Sequence, residues 1–240
     1  MKRLIISVFV LLSVVLLSSC TTTTDLDKFY TQSFSEELPE ECYLQEGEEP
    51  KIYYSENIME DLNYLQSNYY YALGYSSYNG PADSSLEKEV RKLCLIKRAP
   101  IGIYNYEYTD TRTGITSNQY YISSYSIKRY DYTIIVFAPM PDFMIYHYMR
   151  IGLACSNLNQ SDKANTKRNT GAVIKTVFYD SPAYYSDLFK GDVITEVNGI
   201  TITNADQLNL LLDSYDSTQE IEITYYRDGV SHKTSLTPLY

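Results

Sequence analysis

The stretch Leu188-Phe189-Lys190-Gly191-Asp192-Val193-Ile194-Thr195-Glu196-Val197-Asn198-Gly199 decides the fold of the C-terminal third of the chain. Leu188 to Asp192 reads as a turn leading into a strand at Val193-Ile194, and Asn198-Gly199 ends that strand in a hairpin turn. Asn-Gly suits a tight type I′ turn because both central residues must take positive φ. Downstream, Asn204 to Asp213 reads as a helix, and Ile221 to Arg227 with Ser231 to Leu236 as a closing pair of strands joined at Asp228-Gly229. Upstream, Asp180-Ser181-Pro182-Ala183 turns into a short helix and Gly171-Ala172-Val173-Ile174 opens a strand. Before that, Arg150-Ile151-Gly152-Leu153 sets a single glycine between apolar residues at a strand entrance.

Each of these pieces is common, but their order resembles that of the PDZ modules of HtrA-type periplasmic proteases. The resemblance implies a peptide-binding module over residues 148–240. In such a module a ligand adds an antiparallel strand beside Ile151 to Asn157, with its terminal carboxylate on backbone N–H groups around Ile151, Gly152 and Leu153. Gly152, having no Cβ, lets those N–H groups converge on an anion, and Arg150 is placed to assist by charge. Specificity is expected from the groove between that strand and the Asn204 to Asp213 helix. Leu208 and Leu211 are assigned to its pocket and Leu212 to the interior, which favours an apolar C-terminal residue in the partner. No protease domain is recognisable beside it. Gly74-Tyr75-Ser76-Ser77-Tyr78 imitates the start of a nucleophile elbow but lacks the second glycine that the sharp turn needs.

The N-terminus carries a different signal. Lys2 and Arg3 precede an apolar run from Leu4 to Leu17, broken only by Ser7 and Ser13. A run of about 14 residues is short for a membrane span and suits the apolar region of a secretory signal. Leu17-Ser18-Ser19-Cys20 resembles the bacterial lipobox, which implies a signal peptide over residues 1–19 and lipidation of Cys20. Several acyl chains on one terminus hold a protein on a membrane where a single chain binds marginally. Thr21, in place of an aspartate after the cysteine, implies the outer membrane if the source has two.

Residues 20–50 carry Glu36-Glu37-Leu38-Pro39-Glu40-Glu41 and Glu46-Gly47-Glu48-Glu49-Pro50, and low apolar content with like-charge repulsion reads as a flexible acidic tether. Between residues 51 and 147 the pattern becomes α+β, completing an α+β fold class for the whole chain. A short strand at Ile52-Tyr53-Tyr54 precedes a helix capped at Ser55, with Ile58, Leu62 and Leu65 on its apolar face. Tyr69 to Tyr75 reads as a strand, Gly80-Pro81 as a turn and Ser84 to Lys97 as a second helix. A meander of three strands follows, Ile101 to Tyr108, Gln119 to Ser126 and Tyr130 to Phe137. The chain has 27 tyrosines and no tryptophan. High β propensity assigns most tyrosines to half-buried sheet positions, with a few on an exposed contact face.

With 20 basic and 30 acidic residues the net charge is −10, which excludes nucleic acid or an anionic lipid surface as a partner held by clustered positive charge. Cys42, Cys94 and Cys155 remain beside Cys20, none in CxxC spacing. They allow one internal disulfide, with Cys42 and Cys94 the favoured pair. His147 and His232 are the only histidines, neither in metal-ligand spacing, and no phosphate-cradling glycine loop occurs, so no metal or cofactor is expected. The resulting expectation is a non-catalytic, membrane-anchored adaptor for peptide termini or strands of envelope proteins. Two alternatives stay open: a PDZ module regulating an unrecognised enzymatic domain at 51–147, and a structural surface lipoprotein whose groove is closed by its own chain.

Overall fold

The computed structural model describes residues 25–33, 37–117 and 120–240. The signal peptide and Cys20 lie outside the described residues. In the first domain β1 (Tyr30–Gln32), β2 (Lys51–Tyr54), β3 (Tyr70–Pro81), β4 (Ile101–Ser117) and β5 (Ile122–Pro139) form one sheet in the order β1-β3-β5-β4-β2. All neighbours are antiparallel except β2 and β4, which run parallel.

Strand β5 shows why two helices are needed. Successive side chains of a strand point to opposite faces; Ile134, Val136 and Ala138 belong to one buried cluster, Ile135 and Phe137 to another. Helix α2 (Leu86–Lys97) covers the first face with Val90, Leu93 and Cys94. Helix α1 (Ile58–Ser67) covers the second with Ile58, Leu62 and Leu65, the stripe the sequence periodicity picks out. Its cap is Asn57 rather than Ser55: the Asn57 side chain accepts from the Glu60 N–H at 3.3 Å, while Ser55 is buried and donates its N–H to the Tyr104 carbonyl at 2.8 Å.

Two further sequence expectations change in the N-terminal segment and its core. The acidic segment does not behave as a tether over its described part, because Leu26, Leu38 and Cys42 are buried in the α2-side core and β1 pairs with β3. The carboxylates that suggested repulsion lie on the exposed side, where Glu40 meets Arg98 and Glu49 meets Arg91. A few widely spaced apolar residues anchor the segment. Cys42 and Cys94 share that core but are free thiols, and burial pushes the Cys94 thiol up to about 12.

The meander is one long hairpin rather than three strands. At the expected Asp110–Gly114 turn the ladder continues past an irregularity between Tyr108 and Asp110, pairing Arg112 with Ile127 and Ser117 with Ile122. Threonine, tyrosine and isoleucine, which favour extended backbone, outweigh the single Gly114. The hairpin outruns the sheet, since β3 stops at the Pro81 to Arg129 pair and β2 at the Tyr54 to Tyr104 pair. Tyrosines line its base in a cross-strand ladder, with Tyr78 and Tyr132 stacked at 4.8 Å and Tyr106 edge-on to Tyr130 at 5.8 Å.

Helix α3 (Asp142–Met149) leads into the second domain, where β6 (Leu153–Asn157), β7 (Ala172–Val177), β8 (Val193–Val197), β10 (Ile221–Arg227) and β11 (Val230–Leu236) are ordered β11-β10-β8-β7-β6. The short β9 (Ile200–Thr201) pairs with β8. Helices α4 (Gln160–Thr166), α5 (Pro182–Tyr185) and α6 (Ala205–Asp213) complete it. Both hairpin turns have the required backbone, with positive φ at Asn198 and Gly199 and at Asp228 and Gly229. Ile174, Ile194, Leu208, Ile221 and Ile223 form the core, each with no exposed surface.

The domains meet through aromatic rings. Phe178, which follows β7, stacks between Tyr69 and Tyr148 at centroid distances of 5.2 and 4.5 Å. The Tyr69 hydroxyl donates to the Tyr179 carbonyl and the Tyr179 N–H to the Ser67 carbonyl, each at 2.8 Å.

Candidate peptide-binding groove

The groove begins at the turn from α3 into β6. The carbonyls of this turn point inward: Ile151 accepts from the Ala183 N–H at 2.9 Å and Gly152 from the Phe178 N–H at 3.0 Å. Among the described residues, the N–H groups of Ile151 and Gly152 enter no turn, loop or cap hydrogen bond. Gly152 has φ +96°, and a Cβ built there would stand 1.8 Å from the Ser181 Oγ. That hydroxyl is itself held, donating to the Phe178 carbonyl at 2.7 Å and accepting from the Tyr184 N–H at 3.3 Å as the cap of α5. The loop is therefore clamped from behind by the β7–α5 turn.

Among the described residues, strand β6 is the end of its sheet and presents an open edge. Because the Gly152 carbonyl points towards β7, the alternation of an antiparallel ladder turns the N–H and C=O of Leu153 outward. Helix α6 lies across from that edge. Asn204 caps it by accepting from the Gln207 N–H at 2.9 Å, and the Asn157 side chain at the far end of β6 accepts from the Ala205 N–H at 2.8 Å. Between strand and helix is a hollow of about 300 Å³, lined among others by Ile151, Leu153, Cys155, His147, Asn209 and Leu212. Burial pushes the Cys155 thiol up to about 12.

The pocket residues assigned from periodicity lie elsewhere. Leu208 is fully buried in the domain core, and Leu211 lines a separate hollow with Ile200 and Leu210. Leu212, assigned to the interior, is 5% exposed and forms both core and groove wall. The 3.6-residue period marks an apolar stripe on α6 but not which flank of the stripe adjoins β6, so it does not single out Asn209, which lines the groove. This separates the leucines energetically. Leu208→Ala is expected to destabilise the domain by about 3 kcal/mol in urea denaturation, whereas Leu211→Ala costs about 1 kcal/mol or less.

Arg150, expected to assist the loop by charge, also has a structural place. Its Nε donates to the main-chain oxygen of Tyr240 at 3.1 Å, Nη1 to the Leu212 carbonyl at 3.1 Å and Nη2 to the Tyr215 carbonyl, with Asp213 at 3.7 Å. A guanidinium on the last carbonyls of a helix satisfies orphan acceptors and complements the helix dipole. One side chain thus holds the glycine loop and the end of α6 at a fixed spacing, with its charge at the loop end of the hollow.

A family model described as PDZ domain matches residues 150–237. Among curated proteins, the chain is 29% identical over 89 residues to a probable periplasmic serine endoprotease DegP-like of Marinomonas sp. (strain MWYL1), a match covering 36% of this chain and 19% of that protein. It is 33% identical over 81 residues to the serine protease Do-like HtrA of Lactococcus lactis subsp. lactis (strain IL1403), covering 32% of this chain and 20% of that protein. The chain thus spans about a fifth of the length of the curated relatives it matches. Among solved structures, the HtrA3 PDZ domain bound to a phage-derived ligand (FGRWV) aligns with a TM-score of 0.33 at 19% identity, covering 37% of this chain and 82% of that one. The HtrA-type protease AlgW with decapeptide aligns with a TM-score of 0.33 at 18% identity, covering 43% of this chain and 36% of that one. Residues 150–237 therefore form a PDZ domain that resembles those of HtrA-type proteases.

Proposed function

We propose that this protein is a non-catalytic lipoprotein, anchored through Cys20 in the cell envelope, whose PDZ domain captures C-terminal or extended segments of envelope proteins. The observation that carries the reading is the open edge of β6 beside a loop whose carbonyls are spent internally. A peptide completing that edge gains main-chain hydrogen bonds, and an anion at its end meets backbone N–H groups at Ile151, Gly152 and Leu153. Leu153, Cys155 and Leu212 offer an apolar seat for its last side chain.

The envelope location draws on the lipobox-like Leu17-Ser18-Ser19-Cys20 and on relatives named as periplasmic. A lipid anchor would keep the groove near its targets, where weak ligands are met at high effective concentration.

The test is fluorescence anisotropy of residues 21–240 with labelled hexapeptides ending in Val, Leu, Phe, Asp or Lys. Free carboxyl ends with an apolar last residue are expected to bind, and amidation of the same peptides to weaken binding about tenfold or more. Equal affinity for amidated and free ends, or none for any peptide, would refute capture of chain termini. In cells, Cys20→Ala is expected to release the protein from the membrane fraction, and unchanged membrane retention would refute the anchor.

A further inference from the structure

A second hollow, of about 390 Å³, lies at the junction of the two domains. The first domain contributes Leu62, Gln66, Tyr75 and Ile135, and the PDZ domain contributes Ala154 and Thr176. Among the described residues, none that lines it carries a charge, although 21% of the chain is Asp, Glu, Lys or Arg. Tyr148 and Ala154 line both this hollow and the groove, so the two cavities share a wall along β6.

The pleat of β6 decides what lies on each side. Leu153 and Cys155 pack against the PDZ core, while Ala154 and its partner Thr176 on β7 face the first domain. In antiparallel pairing, residues directly opposite each other point their side chains to the same face. A ligand strand on the open edge therefore alternates in the same way. Its terminal residue, opposite Leu153, faces α6, and the residue before it, opposite Ala154, faces the junction hollow.

From this geometry we infer that the junction hollow is a second specificity subsite, shared between the domains, that accepts an uncharged apolar or aromatic side chain at the penultimate position of the captured peptide. The inference rests on the peptide-binding reading above and deepens it. The tyrosine-rich domain acts as the far wall of the site, so the ligand is gripped on both faces of its strand. A charged penultimate residue would lose water without meeting a counter-charge among the described lining residues, which selects against it. A cavity of this size accommodates a side chain as large as phenylalanine.

The experiment measures affinities of residues 21–240 for labelled hexapeptides ending in Val, with Gly, Leu, Phe, Asp or Lys in the penultimate place. Leu and Phe are expected to bind roughly tenfold or more tightly than Asp and Lys. Gln66, on α1, belongs to the far wall, so Gln66→Lys is expected to reverse the preference towards Asp. The Gly peptide should bind that variant and the wild type alike. Tyr75→Lys, at a residue 44% exposed, is a second variant should the first fold poorly, with the same outcome expected. Affinities within twofold across the penultimate series, with dependence on the last residue intact, would overturn the subsite and leave peptide capture standing. Binding of no peptide in either series would overturn both.

Discussion

Gly152→Ala is expected to abolish measurable peptide capture and to destabilise the PDZ domain by roughly 3 kcal/mol. Two costs combine. The residue holds φ +96°, where an L side chain is strained, and the added methyl would stand 1.8 Å from the Ser181 Oγ and 2.2 Å from its Cβ. Ser181 cannot swing aside freely, because its hydroxyl ties the Phe178 carbonyl to the first turn of α5. The loop must retreat instead, carrying the N–H groups of Ile151 and Leu153 away from any ligand. Adding Ser181→Gly removes the collision but not the φ strain, and is expected to restore part of the stability and little of the binding. Urea denaturation and peptide titration of the two single variants and the double variant check this. Wild-type binding by Gly152→Ala would show that the loop does not hold the ligand's end.

Arg227→Met is expected to cost about 3 kcal/mol in the same denaturation measurement. Asp192 is 2% exposed, and its carboxylate accepts from Arg227 Nε at 2.8 Å, Arg227 Nη2 at 2.6 Å and the Phe189 N–H at 2.9 Å. The same contacts hold the Arg227 guanidinium above its ordinary pKa, the hydrogen bond to Asp192 being the main cause. Removing the arginine leaves a buried carboxylate with one backbone donor and also uncovers the Phe189 ring, over which the guanidinium sits at 4.4 Å. Replacing both partners, as in Asp192→Leu with Arg227→Met, is expected to cost less than the single change, because no unpaired charge is left behind. A larger loss in the double variant would mean that the pair contributes more than its own desolvation.

The Gly191-Asp192 turn could be read as local punctuation, and the structure adds why aspartate stands there: it meets an arginine 35 residues later on β10. The apolar stripe of α1 was legible because three residues at helical spacing meet one sheet face. The β4–β5 hairpin runs past the expected turn because turn-forming residues at 110–114 are only a weak local preference, which sixteen residue pairs, in two registers that meet at the irregularity after Tyr108, outweigh. The tether expectation for the acidic segment fails for a related reason, since net charge per residue hides the few side chains that reach a core.

By itself the sequence determined what short-range chemistry dictates: the order of strands and turns in residues 150–237, the positive-φ turns at Asn198-Gly199 and Asp228-Gly229, and the glycine at 152 where a side chain cannot stand. Those follow from φ limits and hydrophobic period, which act within a few residues. Only the tertiary structure decided which leucine of α6 is core, where the three donors of Arg150 go, and that a second domain walls the far side of β6. The physical reason is that a helix stripe or a strand face specifies that it must be covered, while the element that covers it is chosen by packing between residues distant in the chain.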